Sequence, residues 1–259
     1  MRSVYIIIKK QTMISKPKCY IPLILLVVMM IGCGSKNKAN EGKGQSKCET
    51  LDSSSEKNKS KSIVSAKTYD FSDACCNLKM KYPQFSGSKY VFLNREIVKT
   101  INDLRDEARS ADLCKEMKQL NPDFKAEANA DYKIWREDSK LLSLCMETYI
   151  YLGGAHGMPS REAYNIDLKT GKKISLDDFF IANYDYKKPI NAFIKKKIAE
   201  HSEEFFTEDF KGINSETAFY IDDSHLHIFF PPYEIAPYSS GFPTFDIPLS
   251  DFENKLRYR

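Results

Sequence analysis

A chain of 259 residues, 42% apolar and 29% charged, can bury a core and is long enough for two small domains or one large one. Its net charge of +4 comes from the N-terminus, where residues 1–32 hold Arg2, Lys9, Lys10, Lys16 and Lys18 and no acid, so the remainder stands at −1. A near-neutral remainder has no bulk electrostatic attraction for nucleic acid, and that class of partner is excluded.

In chain order, the first element is an address. Lysines precede the apolar run Ile21–Ile31, and Gly32-Cys33 follows. The run is too short for a bilayer span, which needs about 20 residues. A basic start, a short apolar stretch and a small residue before a cysteine form a lipoprotein signal, whether translation begins at Met1 or Met13. Cys33 is the predicted lipid anchor, so the membrane is a partner and the protein faces the periplasm or the cell exterior. Residues 33–68 read as a flexible tether. Gly34–Ser62 holds seven lysines, seven serines and four acids without an aromatic residue, too little apolar surface to offset the entropy of ordering.

The folded part is expected from Tyr69. Ala74–Tyr82 alternates like a strand that Pro83 ends. Ile97, Ile101, Leu104 and Ala108 make one face of a helix capped by Asn94 and running to Leu120. Phe124–Glu137 and Leu141–Tyr151 read as paired strands, with Ala126, Ala128 and Ala130 forming a flat side for a helix. Glu162–Leu168 and Lys172–Leu176 read as a second pair across Thr170-Gly171, ahead of an acidic helix start at Asp177-Asp178. Pro189–Phe206 is an amphipathic helix, Ala218–Ile221 and His225–Phe230 a hairpin, and Thr244–Leu249 a last strand. This order predicts an α+β fold of two small subdomains, residues 69–168 and 169–259, each an antiparallel sheet packed by a helix.

The cysteines of an exported chain are free to form disulfides. Cys48, Cys75, Cys76, Cys114 and Cys145 remain beyond the anchor, an odd number, and either Cys75 or Cys76 is placed to face Cys145. The alternative is that they are small buried hydrophobes.

Two stretches carry candidate chemistry. Gly153-Gly154-Ala155-His156-Gly157 is a glycine turn presenting an imidazole. His156 is read either as a ligand-binding or catalytic group or as a lock on its own turn; no nucleophile stands beside it at motif spacing. Tyr233, Glu234, Tyr238 and Phe242 lie on a proline-punctuated loop, PPYEIAPYSSGFP, which either stacks on sugars or anchors a partner, or else folds inward over the core. His225 and His227 share one strand face, but a zinc site needs a third ligand, with His156, His201 or Asp223 the choices; no metal is expected. No cofactor is expected, and no residue is assigned a catalytic role.

YLGGAHG followed by YNIDLKTGKKISLDDFF, and then FFPPYEIAPYSSGFPTFDIPLSDF, together resemble a two-domain module of bacterial envelope proteins. The module forms the outer part of lysozyme-sensing anti-sigma factors of the RsiV type. It also precedes the catalytic domain of peptidoglycan deacetylases of the PdaC type. The resemblance covers residues 69–259. It implies an envelope protein that binds cell-wall glycan, or a protein such as lysozyme, without transforming it. The deacetylase motifs are missing: Asp246 is followed by Ile247 instead of a second aspartate, and no H-x-x-x-H occurs. The alternative is a peptidoglycan hydrolase or deacetylase using His156.

Overall fold

The computed structural model describes residues 62–258. The expected signal, the expected anchor at Cys33 and the expected tether up to residue 61 lie outside the described residues. No helix among the described residues is long and apolar enough to cross a membrane.

The fold is α+β. Its first part is a five-stranded sheet with strands in sequence order: β1 (Val64–Ser72), β2 (Cys76–Phe85), β3 (Ala126–Glu137), β4 (Leu141–Tyr151) and β5 (Met158–Asp167). Alternation puts Leu78 and Met80 of β2, Ala128 and Ala130 of β3, and Leu144 and Met146 of β4 into one core, where α1 (Val91–Ala108) lays Ile97, Ile101 and Leu104 across them. The small side chains of β3 give the helix room to approach. Each large apolar side chain buried there contributes roughly 1.5–3 kcal/mol, so this contact dominates the first lobe. The opposite face of the sheet is left to Thr68, Lys79, Lys81, Asn129, Asp131 and Glu147, all exposed.

Several sequence expectations are corrected here. The sheet is mixed, because β2 and β3 are parallel. A parallel pair needs a long crossover, and the helical segment between Val91 and Leu120 supplies it. That segment is two helices, since Ser110 caps a new one, α2 (Ala111–Leu120), with its Oγ accepting from the Leu113 amide. Asn94 is no cap; its amide group bridges the backbone N–H and C=O of Phe85 at 2.9 and 2.8 Å. Pro83 stays inside β2, beyond Met80, where β2 pairs with β1 alone and a missing donor is tolerated. β1 takes Val64–Thr68 out of the stretch expected to be tether. Residues 162–167 belong to β5, pairing with β4, and Lys173 makes only a single bridge, with Ile166. Leu176 opens a one-turn helix, α3 (Leu176–Phe179), closed by a capping box between Ser175 and Asp178.

The expected partner for Cys145 is not found, while the alternative of small buried hydrophobes holds for Cys76 and Cys145. Cys75 bonds to Cys114 across a Cα separation of 5.5 Å, and Cys76 and Cys145 are buried free thiols. Asp73 Oδ1 accepts from both the Cys75 and Cys76 amides, turning Cys75 out toward α2 as Cys76 enters the core. Cys145 lies two strands away on β4, and burial pushes its thiol up to about 12.

The second part is a three-stranded antiparallel sheet, β6 (Phe219–Ile221), β7 (His225–Phe229) and β8 (Thr244–Pro248), covered by α4 (Lys187–Glu200). Ile190, Ile194 and Ile198 recur on one face of α4 and share a core with Leu226, Ile228 and Phe245. The lobes meet through β6, which lies against β4 and β5. Trp135 of β3 stacks on Tyr220 of β6 at 4.5 Å, and Tyr220 stacks on His227 of β7 at 4.3 Å.

Candidate functional site

The glycine turn and the aromatic loop touch. β4 ends at Tyr151 and the chain turns through Gly153 and Gly154, at φ of 104° and 100°, which only glycine adopts without strain. A Cβ on Gly153 would lie 2.2 Å from Met117 Cε, so close packing adds a second constraint there. Both glycines are therefore explained by chain geometry. Gly157 is a glycine for another reason: a Cβ would lie 2.4 Å from the Tyr149 ring and 2.6 Å from the Ile150 carbonyl oxygen.

His156 is exposed between these turns. Its Nδ1 lies 2.9 Å from the Gly157 carbonyl oxygen, which can only accept, so Nδ1 carries the proton. Nε2 is left as an acceptor, 3.3 Å from the Tyr233 hydroxyl. The Tyr238 hydroxyl donates to the same Gly157 carbonyl at 2.7 Å, and its ring stacks on the imidazole at 3.9 Å. Tyr233 leans on Tyr238 at 5.7 Å. Residues 77 positions apart in the chain thus form one surface. Tyr233 is half exposed and sits at φ 71°, a strained conformation for a tyrosine.

The loop's other members separate. Phe242 packs inward, on Phe229 and beneath the Arg161 guanidinium at 4.4 Å. Desolvation raises the Glu234 carboxyl above the usual carboxylate range. Among the described residues, no carboxylate hydrogen-bonds to His156.

The two strand histidines meet acids instead. His227 is buried on β7, with Nδ1 2.7 Å from Asp246 of β8 and Nε2 3.0 Å from Asp222 in the β6–β7 turn. Burial raises the Asp222 carboxyl, but the amides of Ser224 and His225 and the His227 ring outweigh it and hold it at about 2. His225 Nδ1 lies 2.8 Å from Ser224 Oγ, and its ring is 5.8 Å from that of His227. Neither His156 nor His201 joins them. A different trio, His201, Glu203 and Glu204, brings its ligand atoms within 4.8 Å of one another, fully exposed. Sequence reading missed the Asp222–His227–Asp246 chain, because it depends on strand register: Asp246 is the direct cross-strand partner of His227.

Comparison with known proteins follows this division. Residues 69–159 match a family described as deacetylase PdaC, and residues 177–250 match a protein family of unknown function, DUF3298. Peptidoglycan-N-acetylmuramic acid deacetylase PdaC of Bacillus subtilis is 24% identical over 169 residues, 62% of this chain and 34% of that protein, so the chain spans about a third of its relative's length. A solved DUF3298-family structure from Bacteroides fragilis aligns with a TM-score of 0.54 at 19% identity, over 74% of this chain and 93% of the other. A second, from Pseudomonas aeruginosa, aligns with a TM-score of 0.52 at 16% identity, over 75% and 93%. These two establish the fold. The chain matches, in order, a PdaC family model and the DUF3298 family model, in keeping with the PdaC-like two-domain module that its sequence resembles.

Proposed function

We propose that this is a lipid-anchored protein of the bacterial cell envelope that binds cell-wall glycan, without transforming it, at the surface made by His156, Tyr233 and Tyr238. The observation that carries the reading is the contact between the two sequence blocks: the imidazole stacked on Tyr238 and hydrogen-bonded to an exposed Tyr233. An exposed Tyr233 beside a half-buried Tyr238 offers an apolar face and a polar edge, which is what a sugar ring presents in return. The strain at Tyr233 is consistent with a ring held out for use. The name of the Bacillus relative, a peptidoglycan deacetylase, supports the choice of a cell-wall glycan as the ligand class. The lipoprotein signal pattern ending at Cys33 supports the anchor.

A sedimentation assay with purified peptidoglycan, run beside one with immobilised c-type lysozyme, tests this. The expected result is retention on peptidoglycan that falls in Tyr233→Ala and Tyr238→Ala. Retention on lysozyme alone would move the reading to a protein partner, and retention on neither would end it. A hydrolase reading through His156 requires activity on muropeptides that disappears in His156→Ala while the melting temperature holds. The absence of a carboxylate on the imidazole speaks against it.

A further inference from the structure

The exposed face of the five-stranded sheet carries a concavity outside the surface just described. It holds a trough of about 470 Å³, open along its length, with a second hollow of about 190 Å³ adjoining it; Asp131 and Glu147 line both. Strand register fixes what the trough displays. One row across the sheet is Thr68, Lys81, Asp131, Glu147 and Arg161, with Lys81 joined to Asp131 by an ion pair just past the end of the β2–β3 pairing, and the next is Asp70, Lys79, Asn129, Tyr149 and Pro159. With strands about 4.8 Å apart, either row runs roughly 19 Å across five strands.

The two rows differ in chemistry. In the first, the charges are already paired: Lys81 with Asp131 at 2.9 Å and Arg161 with Glu147 at 2.8 Å. In the second, the side chains of Asp70, Lys79 and Asn129 make no hydrogen bond among the described residues, and donors and acceptors alternate at strand spacing. Tyr149, Pro159 and the aliphatic stems of the lysines supply C–H and ring surface between them. A polyanion would meet Asp70, Asp131 and Glu147. An extended peptide would pair with backbone at a strand edge, whereas the floor of this trough presents side chains across all five strands. A neutral chain carrying hydroxyl and amide groups at regular intervals fits both the spacing and the weak net charge.

We infer that this trough is a subsite for a glycan strand, running across the sheet and ending at the Tyr149–Gly157 contact beneath the His156–Tyr238 stack. The inference rests on the glycan-binding reading above and adds the sheet face to it. The two surfaces are continuous because the Tyr149 ring, on the trough floor, lies against Gly157, whose carbonyl receives both His156 and Tyr238.

The chain has one tryptophan, and Trp135 lines the second hollow, with Lys133 3.3 Å above its ring. Its emission therefore reports on the trough. Titration of the full chain with N-acetylglucosamine oligosaccharides should change Trp135 emission saturably. A paired Asp70→Ala and Asn129→Ala variant should bind about tenfold more weakly by calorimetry, the equivalent of roughly one lost hydrogen bond, with an unchanged melting temperature. If oligosaccharide binds, Tyr233→Ala abolishes binding, and the paired variant binds as the parent does, the trough is overturned while the tyrosine surface stands. If the paired variant weakens binding and Tyr233→Ala does not, the trough stands and the tyrosine surface falls. No binding to the parent protein overturns both.

Discussion

Ser143 donates its hydroxyl to the Asn165 side-chain oxygen at 2.6 Å, from directly opposed positions on β4 and β5, and both are fully or nearly fully buried. The pair then reaches across the lobes. Asn165 Nδ2 donates to the Phe219 carbonyl at 2.6 Å, and Ser143 Oγ accepts from the Ile221 amide at 2.9 Å. Two side chains thus satisfy backbone groups of β6 that have no strand on that side. Ser143→Ala removes an acceptor from a buried amide, so unfolding free energy should drop by about 1–3 kcal/mol, read from the denaturant midpoint. A smaller loss would mean that the lobes are held mainly by the Trp135–Tyr220 stack.

Asp222 gives the protein an acid-sensitive component. Its folded carboxyl stands at about 2 against an ordinary 3.8, so the folded state favours the charged form. The shift corresponds to roughly 2 kcal/mol, fully present above about pH 4 and lost as pH falls toward 2. Asp222→Asn keeps an oxygen for the Ser224 and His225 amides and removes the charge facing His227. The variant should be less stable than the parent at pH 7, and the gap should close in melts taken between pH 4 and pH 2. A gap independent of pH would assign the effect to packing.

Gly157 and Gly154 should respond differently to alanine. At Gly157 the added methyl meets the Tyr149 ring and a carbonyl oxygen, and relief requires moving both, at a cost of about 1–3 kcal/mol. At Gly154 there is open space, so only the positive φ is penalised, by about 1 kcal/mol. Thermal melts of the two variants compare them directly. Gly157→Ala should also weaken peptidoglycan retention, because it displaces the carbonyl that orients His156 and Tyr238.

Tyr233→Gly separates stability from binding. Glycine accepts φ 71° freely, so relief of strain offsets the greater freedom of the unfolded chain, and stability should hold within about 1 kcal/mol. Retention on peptidoglycan should fall nonetheless. A variant that loses stability by several times that amount would show the ring to be a structural brace.

Much of this architecture is legible in the sequence where a pattern is local. The alanine alternation of β3, the Ile97–Ile101–Leu104 stripe and the hairpin around Asp222-Asp223-Ser224 each lie within one element or one turn. What escapes is set by distant parts of the chain. The parallel pairing of β2 with β3 leaves no mark in either strand. β1 is an edge strand with nearly every side chain wet, so its composition reads as linker. The break at Ser110 hides inside a continuous apolar repeat. At the site, His156 and the tyrosine loop stand out as residue types, but Tyr149 and the charge rows of the sheet face become visible only once register is known.

Cys75 and Cys76 are neighbours with opposite fates, one bridged to Cys114 and the other sealed in the core as a thiol. The bridge closes a loop 39 residues long that contains β2 and α1. A catalyst that oxidises this chain before it folds is offered two adjacent sulfurs and no geometric means of choosing between them. Selection belongs to the strand: once Leu78 and Met80 settle beneath α1, the pleat withdraws one sulfur and leaves the other within reach. Correct pairing of these sulfurs therefore depends on β2 docking before oxidation is complete.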